Sequence, residues 1–159
     1  MRAFPLLLVS LVASLLLVNL EAGAQSSSEI LLQETGVLET GDSTLSSSGI
    51  FYDEYTFEGN ANIPIRIDWS SNEFPANLIL LDSGYNIIAM IASNGELIRD
   101  ASSPAIQNLE THSTSNGASA GFSLSEAGMY RVIIAAPDSA ASGQYSVSIF
   151  TDAAATSNR

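Results

Sequence analysis

Apolar and polar residues alternate along the middle of the chain. From Ile63 to Trp69 the odd positions are Ile63, Ile65, Ile67 and Trp69, and the even ones are Pro64, Arg66 and Asp68. Successive side chains of a strand point to opposite faces, so this run predicts a strand with one buried and one wet face. The run before it alternates too. Phe51, Tyr55 and Phe57 fall on one face, and Tyr52, Glu54, Thr56 and Glu58 on the other. Glu58-Gly59-Asn60-Ala61-Asn62 lies between the two runs, and Gly and Asn tolerate positive φ, so the pair reads as a hairpin. Leu78 to Leu81 is apolar at every position, as in a strand buried on both sides. Asp82-Ser83-Gly84-Tyr85-Asn86 then turns the chain into Ile87 to Ile91.

The flanking sequence extends this pattern. Gln25 to Ser28 is a polar lead-in, Ile30-Leu31-Leu32 an edge strand or strap, and Gly36 to Asp42 a strand ending in a Gly-Asp turn. Ser43 to Gly49 reads as a Ser-rich loop, and Ser93-Asn94-Gly95-Glu96 as a turn. Leu97 to Glu110 reads as a loop with one short strand over Ala105 to Leu109, and Thr111 to Ala118 as a flexible polar loop. Three strands follow: Ser119 to Leu124 with Phe122 and Leu124 inward, Met129 to Ala135 with Tyr130, Val132 and Ile134 on one face, and Gln144 to Phe150 with Tyr145, Val147 and Ile149 buried. Thr151 to Arg159 reads as a frayed tail. No amphipathic helix is evident after the leader. About eight or nine short strands separated by turns predict an all-β sandwich or barrel.

The start of the chain has a different character. Arg2 and the free amine precede an almost wholly apolar run from Phe4 to Leu20, and Ala22-Gly23-Ala24 has the small residues that a signal peptidase reads. The reading is a helical signal peptide over residues 1–24, cut between Ala24 and Gln25, with an uncleaved membrane anchor as the rival. The remainder divides into a lead-in (25–35), a sandwich (36–150) and a tail (151–159). The chain has no Cys, which excludes both disulfides and a lipid anchor at the cleavage site. It is expected outside the cytoplasm, secreted or periplasmic, with no stable membrane insertion after cleavage.

Charge narrows the partners. The net charge is −12, and no Lys is present. Phosphate backbones are repelled by such a chain, so nucleic acid is excluded as a partner, and anionic lipid is disfavoured for the same reason. The acidity suits solubility outside the cell or an affinity for divalent cations.

Four pieces in order now carry a resemblance: Gly36-x-Leu38 with Gly41-Asp42; Tyr52-Asp53-Glu54-Tyr55-Thr56-Phe57; Leu78-Ile79-Leu80-Leu81-Asp82 with Gly84; and Gly128-Met129-Tyr130 followed by Gly143-Gln144-Tyr145-Ser146-Val147. Together they resemble the bacterial pre-peptidase C-terminal (PPC) domain over roughly Gly36 to Phe150. The resemblance implies a single antiparallel β-sandwich, jelly-roll-like, of the kind appended to secreted enzymes. It also implies a calcium ion in some relatives and an insoluble polymer as ligand in others. The sequence departs from the family at Phe74-Pro75-Ala76-Asn77, which lacks the family's Asp and Tyr, and at Ser93-Asn94-Gly95-Glu96, which replaces an acidic turn. The family's usual attached catalytic domain is expected to be absent, so the module is read as standing alone.

Candidate chemistry is sparse. His112 is the only histidine; Ser113 and Ser115 are close by in sequence, but there is no Gly-x-Ser-x-Gly elbow, so His112 reads as a solvated loop residue. One His and no Cys exclude a conventional zinc site. Asp53 and Glu54 are adjacent on a strand and face opposite ways, and Asp68 lies near them if the hairpin forms. Calcium, the one cofactor considered, needs several converging oxygens, and the candidates in or beside turns are Asp42, Asp82, Glu96 and Asp100. Tyr52, on the polar side of its strand, and Tyr85, in a turn, are the candidates for a binding surface, whereas Trp69 belongs to the core. The functional expectation is a secreted, non-catalytic accessory or binding module of PPC type that engages an extracellular polymer or protein partner. The alternative is a structural, envelope-associated sandwich, calcium-stabilised or without a specific ligand.

Overall fold

The computed structural model describes residues 28–45, 48–100 and 104–151, with backbone alone for Arg99 and Asp100. The leader (1–24) and most of the tail lie outside the described residues. The chain forms β1 (Ile30–Leu38), β2 (Ser43–Leu45), β3 (Ile50–Gly59), β4 (Pro64–Ser70), β5 (Asn77–Leu81), β6 (Ile87–Ile91), β7 (Leu97–Asp100), β8 (Ile106–Thr114), β9 (Gly117–Leu124), β10 (Gly128–Ala135) and β11 (Gly143–Thr151). They make two sheets, in the orders β1-β11-β4-β9-β8 and β2-β3-β10-β5-β6-β7. Every strand pair is antiparallel. Removing β2, β7 and β8 leaves β1-β11-β4-β9 and β3-β10-β5-β6, which is jelly-roll order.

The core lies between the sheets, where alternation puts it. Ile65, Ile67 and Trp69 of β4 are buried, as are Phe57 of β3, Val132 and Ile134 of β10, and Tyr145, Val147 and Ile149 of β11. Trp69 is 2% exposed, and its indole Nε1 donates to the Ala76 carbonyl at 3.0 Å, so the one polar atom of the ring is satisfied inside the core. Leu78 to Leu81 is buried at all four positions, as its continuous apolar run predicts.

Several expectations are corrected. The two alternating runs in the middle of the chain do not form a hairpin. β3 pairs with β2 and β10, whereas β4 pairs with β11 and β9 in the opposite sheet. The turn between them crosses the core: Asn62 sits at φ 60, and its N–H donates to the Leu124 carbonyl of β9 at 2.7 Å. Alternation says which side of a strand faces the interior and is silent on its neighbours, so two consecutive strands in opposite sheets read like a hairpin. For the same reason Asp68 lies beside Ser119 and Ser148, not beside Asp53 or Glu54. Ile63 is 38% exposed, because it precedes the strand and occupies the crossing turn.

The strand count is eleven among the described residues, above the eight or nine expected. β2 lies in the stretch read as a Ser-rich loop, and β7 and β8 replace most of the loop expected over Leu97 to Glu110. Thr111 to Ala118, read as a flexible loop, is the end of β8, the two-residue turn Ser115-Asn116 and the start of β9. Edge pairing needs only backbone groups, so a polar Ser/Thr run can join a sheet without an apolar stripe. β1 begins at Ile30, which makes part of the expected lead-in an edge strand paired with β11.

Candidate binding surface

The outward side of the six-stranded sheet is not the wet face that alternation predicts. β5 and β10 lie at its centre, and there Ile79 is opposite Ile133 and Leu81 opposite Arg131. Ala135 pairs with Tyr52 of β3, and Met90 of β6 with Ile79. Ile79, Leu81, Ile133 and Ala135 form a second buried cluster outside the core, with Ile50, Tyr52, Ile87 and Met90 packed around it. Tyr52 therefore sits where the sequence placed it, on the outward face, but against an apolar patch.

Arg131 stands on the same face and organises its edge. Its Nε is 3.0 Å from Glu54 Oε1. That N–H is not aligned on any acceptor, so the contact is Coulombic rather than a directed hydrogen bond. One terminal nitrogen donates to the Ser83 carbonyl at 3.2 Å, and the guanidinium lies 4.0 Å from the centre of the Tyr85 ring. Tyr85 is 61% exposed and adopts φ 63, a left-handed conformation that costs a bulky residue about 1 kcal/mol or more. The turn that imposes it is fixed by Asp82. Asp82 Oδ1 accepts from the Gly84 and Asn86 backbone N–H groups at 2.8 and 2.9 Å, and Oδ2 accepts from Asn86 Nδ2 at 2.9 Å. The Asn86 side-chain bond, foremost among these, holds the Asp82 carboxyl below its usual pKa. The structure thus brings Tyr52 and Tyr85 to one face, sets them beside Ile79 and Leu81 of the run read as buried on both sides, and adds Arg131, Glu54, Ile133 and Ala135, which sequence reasoning missed. The signal was present in Ile133 and Ala135, apolar at the positions that alternate with Tyr130, Val132 and Ile134.

The four calcium candidates are dispersed. Asp82 and Glu96 stand in the turns at opposite ends of β6. Asp42 lies between β1 and β2, where its Oδ2 accepts from the Glu39 N–H at 2.7 Å. Asp100 pairs through its backbone with Ala89, and its side chain is outside the described residues. Among the described residues no three His or carboxylate groups are grouped to hold a metal. His112 lies on β8 opposite Ser119 of β9, but the Ser119 hydroxyl donates to Asp68 Oδ1 at 2.7 Å. A nucleophile–base pair would need that proton directed at the imidazole.

A polar network links the two sheets and was also missed. The Tyr145 hydroxyl donates to Asp53 Oδ2 at 2.5 Å and lies 2.5 Å from the Tyr55 hydroxyl. A carboxylate only accepts, so the Tyr145 proton goes to Asp53, and Tyr55 donates to Tyr145. The Tyr145 ring fits because Gly36 of β1 has no side chain; a Cβ there would run into the phenol.

Comparison with known proteins adds little to this geometry. No protein-family model matches the chain, and no curated protein matches it. Among solved structures, the chain is similar to PliG of Salmonella Typhimurium, a periplasmic lysozyme inhibitor of g-type lysozyme. The two share 18% sequence identity over 79% of this chain and 87% of that one, at a TM-score of 0.43. A likeness that distant bears on neither partner nor mechanism.

Proposed function

We propose that this chain is an exported, non-catalytic binding module of the PPC type, which engages an extracellular polymer or protein partner through the outward face of its six-stranded sheet. One observation carries the reading. Tyr85 is held in a strained conformation, stacked on Arg131 and largely open to solvent, at the margin of an apolar patch that includes Tyr52. Aromatic and Arg side chains beside a dry apolar centre are the groups that dominate binding energy at interfaces.

The test separates binding from folding. Tyr85→Gly removes the ring and suits positive φ, so the relief of strain offsets the lost cation–π contact of about 0.5–1 kcal/mol. Its melting temperature is expected to stay close to that of the parent. The parent is expected to be retained on at least one of insoluble polysaccharide, peptidoglycan and collagen, and Tyr85→Gly to bind about ten-fold or more weakly, as for an anchor residue. Retention on none of the three, or unchanged retention of Tyr85→Gly, refutes the reading.

A further inference from the structure

Two open cavities flank a single loop at one end of the sandwich, and the tyrosine-bearing face uses neither. The loop runs from Ser71 to Ala76, between β4 and β5. A cavity of about 400 Å3 lies on its β1/β11 side, with Thr35, Ser70, Gln144 and Ser146 in its wall. A second, of about 470 Å3, lies on the side of the β8–β9 turn, walled by Asn94, Thr114, Ser115 and Asn116. Ser71, Asn72 and Glu73 line both, so the cavities meet at Asn72.

The loop is bolted to both walls. The Ser71 N–H donates to the Asn116 carbonyl at 3.0 Å, and the Ser71 hydroxyl donates to the Gln144 carbonyl at 2.7 Å. Glu73 Oε2 accepts from the Gln144 N–H at 3.0 Å, and Phe74 is buried in the core. A cleft framed this way is formed before any ligand arrives, which lowers the ordering cost of binding. Asn72 is exposed at the junction, and no hydrogen bond among the described residues engages its side-chain amide. That amide offers a donor and an acceptor to a ligand.

The lining selects the ligand chemistry. Its polar side chains are hydroxyls and amides, with Glu73 the one charged group, and they are interspersed with Val37, Phe74 and Pro75, which suit the C–H faces of a sugar ring. An anion finds no cation in either cavity, on a protein of net charge −12. A cation finds a single carboxylate already accepting a hydrogen bond. An apolar ligand strips water from hydroxyls and returns no bonds. A neutral polyol returns donors and acceptors to each of them, and both cavities fall within the roughly 300–1,000 Å3 of small-ligand sites. We propose that this cleft binds an uncharged saccharide chain, with one sugar unit on each side of Asn72.

The site is separable from the tyrosine face, because the loop precedes β5 and Tyr85 follows its other end. The experiment is a heteronuclear NMR titration of the exported protein with cellotetraose, maltotetraose, xylotetraose and chitotetraose, and with tetragalacturonate as the charged probe. At least one neutral tetramer is expected to shift the side-chain amide signals of Asn72 and Asn116. The matching monosaccharide is expected to bind about ten-fold or more weakly, since it fills one cavity. Asn72→Ala is expected to weaken binding roughly five-fold or more, the loss of one or two hydrogen bonds, with melting temperature and retention through Tyr85 unchanged. Three outcomes overturn the proposal: no shift with any neutral tetramer, equal binding of tetragalacturonate, or parental affinity in Asn72→Ala.

Discussion

Tyr145 shows how much one side chain of this protein does. It belongs to β11, yet its hydroxyl reaches Asp53 and Tyr55 of β3 in the other sheet, and its ring lies against Gly36 of β1. Burial, followed by the hydrogen bond to Asp53, raises its phenol pKa far above the usual range; burial also raises that of Tyr55. The folded protein therefore keeps protons that the unfolded chain releases near pH 10. This contribution to stability is fully present below about pH 10 and is lost as the pH climbs above it. Urea denaturation is expected to show stability falling above about pH 10, with a shallower fall in Tyr145→Phe. At neutral pH that variant leaves Asp53 without its donor and is expected to lose about 1–3 kcal/mol. An alkaline profile identical to the parent's would show that the phenol does not carry the dependence. Sequence alternation places Tyr145 inward but cannot reveal that its partner is an inward carboxylate on a strand some 90 residues away.

At the scale of elements, the loop from Ser71 to Ala76 ties the sheets together at one end. Phe74 plugs the core, the Ala76 carbonyl satisfies Trp69, and Ser71 and Glu73 hold Gln144 of β11. Phe74→Ala empties a buried ring site and is expected to cost about 3–5 kcal/mol in chemical denaturation. A cost below 1 kcal/mol would mean that the loop is not anchored through the core. Strand existence was legible for most of these elements, since β3 to β6 and β9 to β11 all alternate or run apolar. Edge elements were not: β2, β7 and β8 are short or polar, and they are held by backbone pairing to a neighbour that only the folded chain supplies.

For the molecule as a whole, charge is the feature most open to measurement. The net charge is −12, and both arginines with described side chains, Arg66 and Arg131, already lie against carboxylates, Asp68 and Glu54. The remaining carboxylates repel one another in the folded state. Raising the ionic strength from about 0.01 M to 0.15 M shortens the screening length from about 30 Å to about 8 Å. The melting temperature is expected to rise by a few degrees over that range. A flat or falling trend in scanning calorimetry would show that the charges are spaced widely enough to ignore one another.

The order of apolar and polar residues by itself determined the all-β class, the inward rows of β4, β9, β10 and β11, and the strand of β5 buried on both sides. It could do so because strand period and burial are local properties, written within a few residues of each position. Which strands are neighbours, that β3 and β4 belong to opposite sheets, and that Tyr52, Tyr85 and Arg131 share one face were decided only by the tertiary structure. Backbone pairing is blind to side-chain identity, and those groups meet through contacts between residues far apart in the chain.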